Sequence, residues 1–571
     1  MPVAQTRQLQ ESFVVVTGSL ARIGLDKHRL FTNPMLDHSA YSDGFARDHL
    51  PPFDLWPEFE GLDPLGYPKR FNAAVELIDR QVAAGFGPRL AIRTPAVTWT
   101  YEDLLDKANR IAAVLRDDLG LVPGNRVLLR SANNAMKAAA WLGVLKAGGI
   151  AVATMPLLRA AELSYMLGKA RVQFALCDAR LADELDKAAA AAPGLKTVHF
   201  HTDAADGLEA RMARKSGGFD NVIPSHDDVS LIAFTSGTTG LSKATVHFHR
   251  DVLAIADCLP RHILKPAPDD VFLGSAPFAF TFGLGAMLVF PLRFGGSAVM
   301  LELPTPEAML SAIEREGVSR LFTVPTLYRA MTPLAAGYDV SSLRSCISSG
   351  EHMPLAVFEG WYRATGVRLM NSIGSTEMLH GFLINQDTQR IPGAVGNAAP
   401  GYRAMVVDEE MNSLPPGQVG RLAVRGPTGC RYLDDPDRQK KYVQAGWNLT
   451  GDAFETDADG VFWYHARTDD MIVSAGYNIS GSEVKGVLLQ HASVAESAVV
   501  GLPNEERGQI VAAYVVLREG AVNGEMMKRE LQDLVKAQIA PYKYPRAIEF
   551  VTTLPKTITG KIQRSALREA R

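Results

Sequence analysis

The sequence predicts an α/β protein of more than one domain, and three observations carry this. Its 571 residues exceed what a single hydrophobic core organises. From about residue 71, short apolar runs alternate with segments of helical period, the pattern of parallel sheets covered by helices. Beyond His465 two further strand-like runs and one amphipathic helix make up a separate, smaller α+β unit.

The elements follow in order. Thr100 with Asp103 three residues on forms a capping box, and Leu104, Leu105, Ala108, Ile111, Ala112 and Leu115 recur at helical spacing. RVLLRSAN (126–133) reads as a buried strand, AMKAAAWLGVLKAG as a helix and GIAVATM as the next strand. VFLGSAPF, GSAVMLE and SRLFTVP continue the strands, with TPEAMLSAIEREG as a helix among them. GYRAMVVD and GRLAVRG, separated by the turn-rich NSLPPGQV, predict a small antiparallel section. In the last unit ESAVVGL and IVAAYVVL are strands, and Met527, Leu531, Leu534, Val535 and Ile539 share a helix face that Pro541 stops. The divisions are therefore an N-terminal extension over 1–45, a large domain over 46–466 and a C-terminal domain over 467–571.

A formal net charge of −3 excludes the basic footprint of nucleic-acid or anionic-membrane binding. Apolar content of 47% and a mean hydropathy near zero describe a globular chain, and its apolar runs fall short of the about 18 residues a membrane span needs. The four cysteines, Cys177, Cys258, Cys346 and Cys430, show no metal or disulfide spacing and read as reduced structural thiols of a cytoplasmic protein. VVVTGSLARIG (14–24) has the outline of a dinucleotide turn, but Arg22 stands where the middle glycine belongs and no second strand follows. It is read as a loosely attached extension.

LIAFTSGTTGLSK (231–243) is the stretch that points to chemistry. Of the eight residues from Thr235 to Ser242, seven are glycine or carry a hydroxyl. Thr235, Ser236, Thr238 and Thr239 supply hydroxyls, Gly237 and Gly240 let backbone amides approach, and Lys243 supplies a point charge, a combination suited to polyphosphate. A flexible linker is the alternative. It is not the common P-loop, because Ser242 rather than glycine precedes the lysine.

TSGTTGLSK resembles the phosphate loop of the adenylate-forming enzymes, the AMP-dependent synthetases and ligases. GSTE (374–377), TGD (450–452), RTDD (467–470) and PKTITGK (555–561) match further motifs in that family's order. The resemblance implies a large domain of stacked α/β sheets plus a small β section, followed by a small mobile C-terminal domain. It implies activation of a carboxylate by ATP as an acyl-adenylate, with Mg²⁺, and transfer to coenzyme A. In that pattern the loop 235–243, with Ser349, Gly350, Glu351, Gly374 and Ser375, would hold ATP. Thr376 would contact the α-phosphate, Glu377 would hold Mg²⁺, and Asp452 and Arg467 would contact the ribose. Lys561 would be the catalytic lysine of adenylation and Asp469 the hinge; Gly476 and Tyr477 would serve the thioester step.

GSTEMLH (374–380) and APYKYPR (540–546) resemble benzoate-CoA ligases, and FARDHLPPFDLWPEF (45–59) resembles a segment of 2-aminobenzoate-CoA ligases or forms a structural arm. Ala279, Phe280, Phe282, Gly350 and His380 would line the acid pocket, where flat rings suit an aryl acid. A benzoate or 2-aminobenzoate type of substrate is expected, with a medium-chain or alicyclic acyl-CoA synthetase as alternative and an adenylation enzyme loading a carrier protein behind it. A homodimer is left open. Two positions depart from the family pattern: Ile373 replaces an aromatic residue beside adenine, and Ser480 with Gly481 replaces a His-Pro type of pair.

Overall fold

The computed structural model describes residues 36–235, 242–351, 353–386, 391–468, 471–474, 477–504, 507–539, 541–556 and 562–569. The VVVTGSLARIG stretch lies outside them. Among the described residues the strands form four sheets.

The first sheet runs Lys196–Phe200, Phe174–Asp178, Arg126–Arg130, Ile150–Thr154, Val229–Thr235 and Lys243–Phe248. Its first five strands are parallel and the last is antiparallel. The helix Tyr101–Ala113 carries the capping box expected at Thr100, both arms of which form. The helix Ala135–Lys146 is buried along its whole length, which its all-round apolar composition anticipates. A Cβ on Gly143 would come within 2.8 Å of the Ala108 carbonyl, so glycine sets the close crossing of these two helices.

The second sheet runs Asn397–Ala398, Gly381–Ile384, Leu369–Gly374, Ser345–Ser348, Arg320–Thr323, Val271–Gly274, Ser297–Val299, Leu90–Arg93 and Thr98–Thr100. The strands from Leu369–Gly374 to Leu90–Arg93 in that order are parallel. Between strands sits the helix Pro306–Glu316, started by the Thr305 hydroxyl and ended by Gly317 in the left-handed region. Gly374 reverses the chain into an antiparallel strand.

The third sheet is the expected antiparallel section: Arg403–Val407, Gly420–Arg425 and Trp447–Thr456, the last also flanked by Val443–Gln444 and Phe462–Arg467. The fourth is built on the long antiparallel pair Val494–Asn504 and Gly508–Leu517, with Met471–Ser474, Tyr477–Ser480 and a parallel Ala547–Phe550. The helix Glu525–Gln538 buries Leu531 and Val535 beside it.

Residues 36–45, which the sequence reading placed in a loose extension, are tied to the body of the protein. The Ser39 hydroxyl and the Arg47 guanidinium both donate to Asp228, and Asp43 pairs with buried Arg126 at 2.6 Å. Polar side chains with partners far along the chain carry this strap, and such pairs leave no local periodicity to read. The Trp/Pro-rich stretch that follows behaves as the structural arm: Trp56 is buried, donates to the Pro51 carbonyl and packs on Phe53, Phe59 and Phe248.

All four cysteines are free and buried, and burial pushes the Cys177, Cys258 and Cys346 thiols up to about 12. Among the described residues no helix is long and apolar enough to cross a membrane.

Candidate active site

The candidate segments follow the carboxyl ends of parallel strands. Thr235 ends the strand Val229–Thr235, Ala279 to Phe282 come after Val271–Gly274, Ser349 to Glu351 after Ser345–Ser348, and Ser375 to Glu377 after Leu369–Gly374. In open α/β sheets ligands collect at this edge, where loops are free of the ladder. Strand order therefore brings together segments that are far apart in sequence.

Thr235 and Lys243 are register partners at the ends of two antiparallel strands. The loop between them, including Ser236, Gly237, Thr238, Thr239 and Gly240, lies outside the described residues. Beyond it the Tyr165 hydroxyl donates to the Ser242 carbonyl at 3.0 Å. The Lys243 ammonium stands 3.8 Å from Glu377 Oε1 and over the ring of Tyr432. Tyr432 donates its hydroxyl to the same carboxylate oxygen at 2.7 Å. Burial, with the charges of Cys430 and Glu377 next in order, raises the Tyr432 phenol far above its ordinary value, so it stays protonated and keeps the proton it donates to Glu377.

The turn that carries Glu377 is tightly specified. Gly374 pairs with Gly381 across it, and a Cβ on Gly374 would lie 2.4 Å from the His380 carbonyl oxygen. Ser375 accepts from the Met378 amide at 3.2 Å and meets the Tyr442 hydroxyl at 3.4 Å. Leu379 takes the left-handed conformation, φ 68°, as the chain closes back toward Thr376. Beneath the turn His247, fully buried, donates from Nε2 to the Thr376 carbonyl at 2.8 Å. Its other nitrogen faces Asp251 at 3.8 Å, and Asp251 pairs with buried Arg431. Burial works to raise the Asp251 carboxyl, but Arg431, His247 and Arg250 together outweigh it and hold the group below its usual range.

Gly350 is held at φ 88°, a conformation that requires glycine, between buried Ser349 and Glu351. Glu351 accepts from the Thr326 hydroxyl at 2.7 Å. On the third sheet Asp452 and Arg467 are register partners, and Arg467 Nη1 donates to Asp452 Oδ1 at 3.0 Å and to the Thr450 carbonyl at 2.9 Å. Burial raises the Asp452 carboxyl above its usual value, and Arg467 opposes it.

Phe280 and Phe282 point into different surroundings. Ala279 and Phe280 pack against the core cluster on the first sheet, whereas Phe282 packs on Phe322 and His380. The His380 imidazole is wedged between Phe282, at 5.7 Å between ring centroids, and Phe290, at 4.6 Å. Neither of its nitrogens meets a hydrogen-bond partner among the described residues. Burial pushes it down to about 4, so it is neutral near pH 7 and offers one donor and one acceptor.

Asp469, Gly476 and Lys561 lie outside the described residues, and of Tyr477 only its place in the strand Tyr477–Ser480 is described. The two departures acquire reasons nearby. Ser480 caps the helix Gly481–Leu488 through the Glu483 amide and also donates to the His465 carbonyl. A Cβ on Gly481 would sit 2.9 Å from the Val499 carbonyl. Ile373 packs as a partly buried residue at the edge of the main core.

Sequence reasoning missed His247, Tyr432, Tyr442, Phe290 and Phe322. His247 alone had a signal, since it sits within the HFH run four positions beyond Lys243, the end of the phosphate-loop segment. The others are ordinary apolar or aromatic positions that strand order makes significant.

No group of three or more possible metal ligands occurs among the described residues. A single carboxylate, Glu377, beside a phosphate-suited segment fits Mg²⁺, which takes most of its oxygens from phosphates and water.

Comparison with known proteins adds independent findings. The family model described as AMP-binding enzyme matches residues 79–431, and the AMP-binding enzyme C-terminal domain matches residues 483–561. The chain is 36% identical over 509 residues to a benzoate–CoA ligase of Thauera aromatica, covering 88% of this chain and 97% of that protein. It resembles a crystal structure of an anthranilate CoA ligase in complex with anthranoyl-AMP, with TM-score 0.84, 31% identity and coverage of 88% and 98%. A benzoate CoA ligase from Burkholderia xenovorans LB400 superposes with TM-score 0.80 at 32% identity, over 87% of this chain and 100% of that one.

Proposed function

The chain belongs to the AMP-binding enzyme family, and from that premise we propose that it is an AMP-forming aryl-CoA ligase acting on a benzoate or 2-aminobenzoate type of acid. A carboxylate resists thiol attack because an oxide would have to leave. In the first step a carboxylate oxygen attacks the α-phosphorus of ATP and pyrophosphate departs. In the second the coenzyme A sulfur attacks the acyl carbon of the adenylate, its proton passes to solvent, and AMP leaves with the bonding electrons.

One observation carries the reading. The turn 374–381 presents Glu377 to Lys243 on one side and buries neutral His380 between aromatic rings on the other. Phosphate chemistry and an aryl-walled site thus meet within four residues. The individual roles are those that the family pattern implies for the matching positions. Thr235 to Gly240 and Lys243 hold the β- and γ-phosphates; Glu377 holds Mg²⁺, which neutralises phosphate charge when bound; Thr376 contacts the α-phosphate. Ser349, Gly350, Glu351, Gly374 and Ser375 border the nucleotide, and Asp452 with Arg467 engages the ribose. Ala279, Phe280, Phe282, Gly350 and His380 surround the ring of the acid, where a neutral imidazole can meet an ortho substituent.

The C-terminal domain, 467–571, brings Lys561 to the oxygens that gain charge during adenylation and turns about Asp469, so that Gly476 and Tyr477 face the pantetheine arm in the second step. An enzyme activating amino acids would want an acid for the α-ammonium, and residues 275–285 contain none. The test is AMP release with ATP, Mg²⁺ and coenzyme A across benzoate, 2-aminobenzoate, 4-hydroxybenzoate, cyclohexane carboxylate and octanoate. Turnover confined to octanoate would overturn the aryl assignment.

A further inference from the structure

We infer that Asn133 is a positioning residue for the acid pocket, gripping the loop that carries Ala279, Phe280 and Phe282 from the opposite sheet and so setting the enzyme's discrimination among carboxylates. This rests on the reading of residues 279–282 as the pocket wall.

Asn133 leaves the strand Arg126–Arg130 of the first sheet, whereas the loop follows Val271–Gly274 of the second. Both ends of its buried amide are used across that gap: Nδ2 donates to the Ala276 carbonyl at 3.0 Å, and Oδ1 accepts from the Phe278 amide at 2.9 Å. A primary amide supplies a donor and an acceptor side by side, so the side chain pairs with the loop as a strand would.

The grip is rigid because its own base is held. Asn134 caps the helix Ala135–Lys146 through the Lys137 amide and donates to Ser131 Oγ and to Glu302. Lys137, buried and with no ion pair among the described residues, donates to the Ser131 and Thr154 carbonyls at 2.7 and 3.2 Å. On its other side the loop is fixed to the second sheet, where Ser275 meets the Phe322 carbonyl and the Thr323 hydroxyl. It then closes on itself: a Cβ on Gly283 would lie 2.4 Å from the carbonyls of both Ala276 and Pro277. The loop is thus suspended between two sheets, and the amide of Asn133 sets where Phe278, and hence the wall after it, stands.

The experiment compares Asn133→Ala, Asn133→Ser and Asn133→Asp with the parent enzyme, each at a temperature where circular dichroism shows it folded. Losing two buried hydrogen bonds should raise the benzoate KM about ten-fold and lower the benzoate-to-octanoate ratio of kcat/KM by a similar factor, with the KM values for ATP and coenzyme A unchanged. Serine, able to keep one hydrogen bond, should fall between asparagine and alanine. Aspartate should be at least as impaired as alanine, since it sets a carboxylate against the Ala276 carbonyl. A fall in thermal stability with an unchanged benzoate KM and ratio would overturn the role. Phe282→Leu is the companion: if it moves the ratio and the Asn133 variants do not, the positioning role fails while the pocket stands. If neither moves it, both fail.

Discussion

The sharpest consequence of the pocket geometry concerns Gly285, which begins the helical segment Gly285–Val289. A Cβ placed there would lie 2.4 Å from His380 Cδ2, 2.7 Å from Nε2 and 3.1 Å from the end of the Phe290 ring. Carbon atoms settle at about 3.5–4.0 Å, so Gly285→Ala forces the imidazole to retreat by about 1 Å. It cannot swing freely, because Phe282 and Phe290 hold its faces and edge. Overpacking of this kind costs about 1–3 kcal/mol, against which the better helix propensity of alanine returns at most about 1 kcal/mol. If His380 borders the acid, a displaced ring should raise the KM for benzoate by about ten-fold while the KM for ATP stays level. The assay is AMP release with each substrate varied in turn, beside thermal melts of Gly285→Ala, His380→Ala and the double variant. With the imidazole removed the same alanine should cost less than half as much stability, a coupling that only contact between the two positions produces. Equal penalties in both backgrounds, or an unchanged benzoate KM, would refute the reasoning.

Other expectations follow from the same geometry. Asp452→Asn should raise the KM for ATP at least ten-fold and leave that for the acid alone, because it removes the charge that Arg467 pairs with and that the ribose hydroxyls would meet; steady-state titration of ATP checks it. Lys561→Ala should abolish ATP–pyrophosphate exchange yet leave thioester formation from supplied acyl-adenylate, and equal loss of both half-reactions would remove the lysine from its role. The hydrogen bond from His201 to Asp178 raises the His201 imidazole above its usual value. Its stabilisation is therefore complete below about pH 6.5 and is lost as pH rises through the raised value, so melts between pH 5 and 9 should show a downward slope that His201→Gln flattens.

Much of this protein was legible in its sequence. The capping box at Thr100, the Thr305 start and Gly317 stop of one helix, and the hydroxyl-rich run before Lys243 are signals written within a few residues. Local hydrogen bonding and side-chain periodicity act over that same range, so a linear reading recovers them. The order of the motifs, from TSGTTGLSK to PKTITGK, was likewise enough to indicate the reaction. What only the tertiary structure decided is which of these residues meet. Tyr432 reaches Glu377 from 55 positions away, His247 reaches the Thr376 carbonyl across 129, and Asn133 reaches Phe278 across 145. The neutral state of His380 also depends on burial among Phe282 and Phe290, on segments that strand order brings together. Sequence specifies the groups that can donate, accept or carry charge. Their partners, their desolvation and hence their protonation are set by which strands lie side by side, and that is decided by the packing of the whole chain.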